Sequence, residues 1–205
     1  MRWIGIALFA LLFFGSAATA EYPNPPLEAY GALPQISSAE ISPDGTKVAA
    51  IVNIPDSTRM AIIEIGGTIT QQVGIDKIKA RGVEFFDNDH VILRVSKTTF
   101  THGFRGDYEY SAAFSINIDS LEINQLLANT KNLFPAQGGL GRIVGRGANP
   151  GEILMPAYMG DRYSDPDLEL LVTKLDSKRG SRQERGTTDT IDWFVGDDGE
   201  ALARE

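Results

Sequence analysis

The chain has 205 residues, 42% of them hydrophobic, with 19 basic residues against 27 acidic ones and a net charge of −8. An acidic surface of this kind repels phosphate backbones, which argues against a nucleic-acid partner. With no Cys in the chain, a disulfide framework and a lipid anchor through a cleaved Cys are both excluded, and stability has to come from burial and backbone pairing.

Residues 1–20 read as a secretory signal. Arg2 gives a short positive start, Trp3 to Phe14 form an apolar run, and Ala18-Thr19-Ala20 places small residues where a signal peptidase cleaves. The apolar run is far short of the roughly 20 residues that span a bilayer. Cleavage after Ala20 leaves a mature chain from Glu21, with 18 basic residues against 27 acidic ones once Arg2 is gone. The expected location is the periplasm or the exterior, with no membrane attachment after cleavage. Residues 21–38 are expected to be an extended lead-in, because EYPNPP (Glu21–Pro26) fixes φ repeatedly. Within it, Leu27 to Tyr30 can form a turn of helix before Gly31, and Pro34 ends anything longer.

Residues 39–205 read as strand and turn. In AAFSINIDSLEINQLL, Phe114, Ile116 and Ile118 alternate with Ser115, Asn117 and Asp119, which predicts a half-buried strand. Asp119-Ser120 makes a turn into a returning segment. The best remaining helix candidate is Gln125–Asn132, and it lacks caps and helical spacing. The fold class is therefore all-β.

Two kinds of hairpin alternate. The first joins strand and apolar strand by a tight turn, at Glu40–Val52, Val83–Val95, Arg142–Tyr158 and Ile191–Arg204. The second runs from an alternating strand through a polar turn to a more polar return, at Met60–Val73, Ala112–Leu127 and Leu168–Glu184. Aligned on the turn, Ile65, Ile118 and Leu175 fall in register, as do Ile63, Ile116 and Thr173, and then Ala61, Phe114 and Leu171. Four strands per period of about 40–60 residues is the requirement of a β-propeller blade. The alternation predicts a partial β-propeller of four-stranded antiparallel blades, three and a half of them. A β-sandwich also has regular strands and turns, but it does not need two hairpin types in alternation. In Ser42-Pro43-Asp44-Gly45 the residues suit a type I turn with Gly in the left-handed region, making Asp44 a turn former and not a catalytic acid. Asp197-Asp198-Gly199 can do the same.

EAYGALPQISSAEISPDGTKVA and DWFVGDDGEALAR resemble the N-terminal propeller region of bacterial prolyl oligopeptidase-family serine peptidases, of the dipeptidyl aminopeptidase and acylaminoacyl peptidase type. The resemblance spans Leu27 to Glu205. It implies a propeller that gates access of short peptides to an α/β-hydrolase domain that follows in sequence and carries a Ser-Asp-His triad. The chain departs from that pattern in having no Gly-x-Ser-x-Gly nucleophile turn. Ser16 lies in the signal, and Ser181 in RGSRQERG lacks the required Gly. The chain alone is accordingly expected to be inactive, with no catalytic, cofactor-binding or metal-binding residue and no cofactor. Its expected partners are peptides, in the complete enzyme, and the missing C-terminal hydrolase domain. Ser-Pro-Asp-Gly hairpins also occur in TolB-like periplasmic propellers, and a non-catalytic binding or scaffolding propeller is the alternative.

Individual candidates have bland readings. His90 follows Asp87-Asn88-Asp89 at a hairpin tip and needs converging partners before it can be a ligand or base. His102 lies in TTFTHGFRGDYEY, a longer connection with Phe100, Phe104 and Tyr108 that could touch substrate in a complete enzyme. Arg105-Gly106-Asp107 is too short a match to an adhesion tripeptide to count. Asp161, Asp165 and Asp167 lack the spacing and Gly of a calcium loop and read as a solvated connection between blades. Lys174, Lys178, Arg179, Arg182 and Arg185 read as a charged edge strand that discourages sheet pairing.

Overall fold

The computed structural model describes residues 24–205 apart from Phe104, Ala136, Arg162 and Ser164. The expected signal, residues 1–20, lies outside the described residues. The chain divides into a unit ending at Ala32 and a unit running from Leu33 to Glu205. In the first, LEAYG forms a single short helix, α1 (Leu27–Gly31), where the sequence predicts a helical turn. Among the described residues no helix is long and apolar enough to cross a membrane.

The β-branched runs flanking the Ser-Pro-Asp-Gly turn become the first two strands of the second unit. The first sheet comprises β1 (Ile36–Ile41), β2 (Lys47–Ile54), β3 (Ser57–Glu64) and β4 (Ile69–Gly74), paired in that order. β1 thus opens inside the stretch expected to be lead-in. The second sheet pairs β5 (Lys79–Phe85), β6 (His90–Phe100), β7 (Asp107–Asn117) and β8 (Ile123–Gln125). The third pairs β9 (Gly145–Arg146), β10 (Glu152–Met159), β11 (Asp167–Lys174) and β12 (Gly180–Glu184). A final hairpin pairs β13 (Trp193–Val195) with β14 (Ala201–Arg204). Among the described residues every strand pairing is antiparallel between neighbours in sequence, and no sheet closes on itself.

The two hairpin kinds fall where the sequence places them. The first kind becomes β1–β2, β5–β6, β9–β10 and β13–β14, and the second becomes β3–β4, β7–β8 and β11–β12. A backbone hydrogen bond fixes the equivalence of the sheets. The residue after the third strand donates its amide to the residue before the second: Ile65 to Thr46 at 2.9 Å, Ile118 to Asp89 at 2.9 Å and Leu175 to Gly151 at 3.0 Å. Ile65, Ile118 and Leu175, aligned from sequence, therefore occupy one structural position.

The sheets pack on each other in chain order. Ala49, Ile51, Met60 and Ile62 of the first meet Val83, Phe85, Val91, Leu93 and Ile116 of the second. Ile92 and Ala113, on the second sheet's other side, meet Ile153, Met155, Ala157 and Leu171 of the third. Leu154, Leu168 and Leu170 of the third then meet Trp193 of the last hairpin. Each fully buried Ile or Leu contributes about 1.5–3 kcal/mol by leaving water, so these interfaces are the main hold on the strands.

Two expectations need correction, and the uncapped helix candidate stays non-helical. β7 is not half-buried: Ser115 is only 2% exposed, and Ala113 beside it is fully buried. A strand between two neighbouring sheets is covered on both sides, and a small polar residue fits there as an apolar one would. Gln125–Asn132 forms no helix, because Leu127 takes a left-handed φ of 62° and both Leu126 and Leu127 are fully buried. The Asp161–Asp167 segment does not connect two sheets; it joins β10 to β11 within the third.

Candidate functional site

Each first-kind hairpin has two ends, and they are built differently. At the tips, the turns of successive sheets touch. Asp44 donates its amide to Asn88 Oδ1 at 3.0 Å. The Arg146 guanidinium lies 4.0 Å above the Phe86 ring and donates to the Phe86 carbonyl. Gly199 packs so tightly on Gly147 and Ala148 that an added Cβ would stand 2.8 Å from their backbone. This end is closed.

At the other end, where β5 starts and where the chain approaches β9 and β13, three clefts adjoin. One of about 350 Å³ lies between the first and second sheets, lined by Asn53, Thr58, Lys79 and Arg81. The next, of about 300 Å³, shares Arg81 and adds Arg94, Ser111 and Arg142. The third, of about 160 Å³, shares Arg142 and adds Tyr158, Leu168 and Ile191. Together they form a groove with an arginine at each junction. The loop before β9 reaches it through glycines: at Gly141, with φ of 122°, a Cβ would lie 2.9 Å from the Ala112 backbone. Only glycine lets that loop lie so close on β7.

The groove's charges are paired. Glu109 Oε1 accepts from Ser96 Oγ at 2.6 Å, from Arg81, and from Lys79 Nζ at 3.4 Å. The Ser96 hydrogen bond, followed by Arg81, holds the Glu109 carboxyl down to about 2, so it is ionised throughout the neutral range. Arg81 Nε also donates to Ser96 Oγ at 2.6 Å. Arg142 grips Asp192 with two parallel bonds of 2.7 and 3.0 Å, and this holds the Asp192 carboxyl below its ordinary value. Arg94 stands 3.8 Å from Glu84. Ser96 is committed between Arg81 and Glu109, so it is not poised as a nucleophile. What the groove presents is a set of charged and hydrogen-bonding side chains paired with one another.

Of the sequence candidates, His90 lies at the tip end, whereas His102 and Asp161 lie in the β6–β7 and β10–β11 connections, at the strand ends that carry Glu109 and Tyr158 of the groove. His90 Nδ1 is 3.0 Å from Asp87 Oδ1, and its Nε2 is 3.3 Å from Asn117 Nδ2. The ring thus ties the tip of β5–β6 to the end of β7, a structural duty. His102 is exposed in the β6–β7 connection; Phe104 of that connection lies outside the described residues. Asp161 accepts the Tyr163 amide at 2.8 Å, an ordinary turn contact. Among the described residues no group of three or more His, Cys, Asp or Glu is arranged to hold a metal ion. The basic stretch does include an edge strand, β12, but Arg182 has a further role: it pairs with Glu169, whose side chain is 4% exposed. That pair borders a separate cleft of about 350 Å³ with Lys131 and Arg179.

Asp44 behaves as the turn reading requires. Its Oδ1 accepts from Ser42 Oγ at 2.6 Å, the Thr46 amide at 3.0 Å and Thr46 Oγ1 at 2.8 Å. These bonds, Ser42's first, hold its carboxyl down to about 2. Sequence reading missed Arg81, Arg94, Glu109 and Arg142, which are spread over β5, β6, β7 and the approach to β9 and carry no motif. The one local signal was QGGLGR (Gln137–Arg142), whose glycines mark a close backbone approach. No family model matches the chain, and no curated protein matches it.

Proposed function

We propose that this chain is the propeller-bearing segment of an exported serine peptidase of the prolyl oligopeptidase kind, and that it admits and orients short peptides for a hydrolase domain. One observation carries the reading: three four-stranded meanders and a further hairpin pack face to face in chain order, with successive first-hairpin tips in contact. That arrangement is what blades of a propeller require. In this reading a peptide carboxylate is held in the arginine-lined groove opposite the tips by competing with Glu109 and Asp192 for Arg81 and Arg142, since guanidinium groups match carboxylates in a planar, two-bond fashion. The sequence carries no Gly-x-Ser-x-Gly nucleophile turn, so this chain by itself is expected to turn over no peptide nitroanilide.

Reading the gene beyond codon 205 tests the proposal. An in-frame continuation with more hairpins and a Gly-x-Ser-x-Gly segment supports it. An intact stop followed by unrelated sequence overturns it, and a stable protein partner recovered without any hydrolase would favour the TolB-like scaffolding role.

A further inference from the structure

The third sheet carries a cleft of about 350 Å³ on the other side of β11 from the groove. Leu168, which lines the groove, faces the last hairpin, whereas Leu171 faces the second sheet. Glu169 stands two residues from Leu171 on the same strand and shares its side. Three separate stretches of chain converge on this cleft: 129–132, 169–171 and 179–182.

Its walls are fixed by hydrogen bonds between those stretches. Asn129 donates its amide to the Lys178 carbonyl at 2.7 Å, and Thr130 Oγ1 accepts the Gly180 amide at 2.8 Å. Gly160 donates to the Asn132 carbonyl at 2.8 Å. The stretch 129–132 is thus tied to the β11–β12 turn at one end and to the end of β10 at the other. On β12 the register shifts: Leu171 pairs with Arg182 but Leu170 with Glu184, which leaves Gln183 as the extra residue. A bulge of this kind re-aims a side chain. Arg182 Nε donates to Glu169 Oε2 at 2.5 Å, and the Glu169 side chain is almost wholly buried. Arg182 therefore leans over the sheet onto an interior acid, which the guarding of a strand edge does not require.

The cleft holds a surplus of positive charge on a chain whose net charge is −8. Glu169 is the one acid among its described lining residues, against Lys131, Arg179 and Arg182. Lys131 and Arg179 make no ion pair among the described residues, and Arg182 gives only its Nε to Glu169. A cleft lined by one sign of charge focuses the field on a small ion of the other sign, and its volume is at the lower end for small-molecule sites. We propose that this cleft binds a phosphate group, either free phosphate or the phosphate of a small ester. Such a group carries close to two negative charges at neutral pH and three strong acceptor oxygens, which matches three cationic head groups and a surplus of two. A carboxylate offers one charge and two oxygens. The guanidinium groups supply paired donors to phosphate oxygens and Lys131 a point charge. The inference draws on neither the groove nor the peptidase reading, so the gene-sequence test above can fail while this one holds.

Isothermal titration calorimetry of the full chain with inorganic phosphate, in about 0.15 M salt, tests the proposal. The expected result is one phosphate per chain with a dissociation constant of about 1 mM or tighter. Lys131→Gln and Arg179→Gln combined in one chain remove both unpaired cations and are expected to weaken binding at least about tenfold. Both side chains are exposed, and neither change leaves a buried charge alone, so the double variant keeps the fold. Glycerol phosphate titrated alongside separates the two sources: it assigns an ester when it binds more tightly than inorganic phosphate, and the free ion otherwise. A wild-type chain that shows no saturable binding up to about 10 mM phosphate overturns the proposal. So does binding that the double variant retains in full, which would place the phosphate elsewhere on the chain. Succinate that binds as tightly as phosphate also overturns it, because the cleft would then be reading charge alone.

Discussion

The first and last of the first-kind hairpins use one turn and live in opposite surroundings. Gly45 and Gly199 sit at the same turn position, with φ of 72° and 81°. Their amides close similar bonds, to Ser42 at 2.8 Å and to Gly196 at 3.1 Å. Around Gly45 there is open space; Gly199 is pressed against the tip of the third sheet, with Arg146 O, Gly147 C and Ala148 N all within 3.0 Å of where a Cβ would be. The strands differ in parallel: Ile36 and Ile41 of β1 are more than half exposed, while Trp193 of β13 is 5% exposed and donates its indole N–H to the Leu168 carbonyl at 2.9 Å. The local turn is set by residue type, and the energy attached to it is set by the sheet that precedes it.

Alanine at the two glycines separates those contributions. Gly45→Ala meets only the cost of a left-handed L-residue, about 1 kcal/mol. Gly199→Ala adds a clash with backbone that cannot rotate away, for a total of about 3 kcal/mol. Urea unfolding of both variants checks the difference. Equal losses would show that the contact between tips contributes nothing and that the two hairpins are energetically alike.

This comparison also explains what the sequence could reveal. Turn chemistry is local, so the Ser-Pro-Asp-Gly and Asp-Asp-Gly turns, both hairpin kinds and the alignment of Ile65, Ile118 and Leu175 were legible. Burial on the far side of a strand is not local. Ser115 looked like a solvent-facing residue because nothing in its neighbourhood says that a further sheet will cover it. β9 has only two residues, Gly145 and Arg146, and its longer sequence hairpin is mostly irregular approach to the strand. The groove was invisible for the same reason. Arg81 of β5 meets Glu109 of β7 only when both strands flank β6 in one sheet, Arg142 meets Asp192 only when the last hairpin lies on the third sheet, and isolated charges in a solvated pattern carry no signature. The partners of His90, Asp87 and Asn117, are likewise split between a local turn and the end of a further strand, and only the first was legible in DNDH.

A smaller effect tests the local half of the comparison. Ser42 is 2% exposed, and its hydroxyl accepts the Thr46 and Lys47 amides at 3.2 and 3.0 Å while donating to Asp44. Ser42→Ala leaves those amides without this acceptor and is expected to cost about 1.5 kcal/mol at neutral pH. The loss should vary with pH in a defined direction. Asp44 in the folded chain is held at about 2 against an ordinary 3.8, so the unfolded chain binds more protons in that window. The stability from Asp44 is therefore present above the ordinary value and is lost as pH falls toward about 2. Removing Ser42 takes away the largest cause of that depression, which flattens the wild-type rise in stability over this window. The variant should thus fall furthest below wild type at neutral pH and approach it near the bottom of the window. A constant gap across that range would show that Asp44 organises the turn without help from Ser42.

The smallest effect belongs to the groove end. Arg142 and Asp192 bridge the approach to β9 and the approach to β13, so their pair is the charged counterpart of the Gly199 contact at the opposite end of the same junction. Their side chains are 53% and 22% exposed, and water and salt screen such a pair even with good two-bond geometry. Arg142→Ala is expected to cost about 0.5 kcal/mol at low salt and less at 1 M salt. Gly199→Ala, acting through uncharged backbone, should cost the same at both. Unfolding of the two variants at low and high salt therefore distinguishes the ends: a salt-independent loss for Arg142→Ala would mean that its stem packs the loop and that the charge is free to serve a ligand.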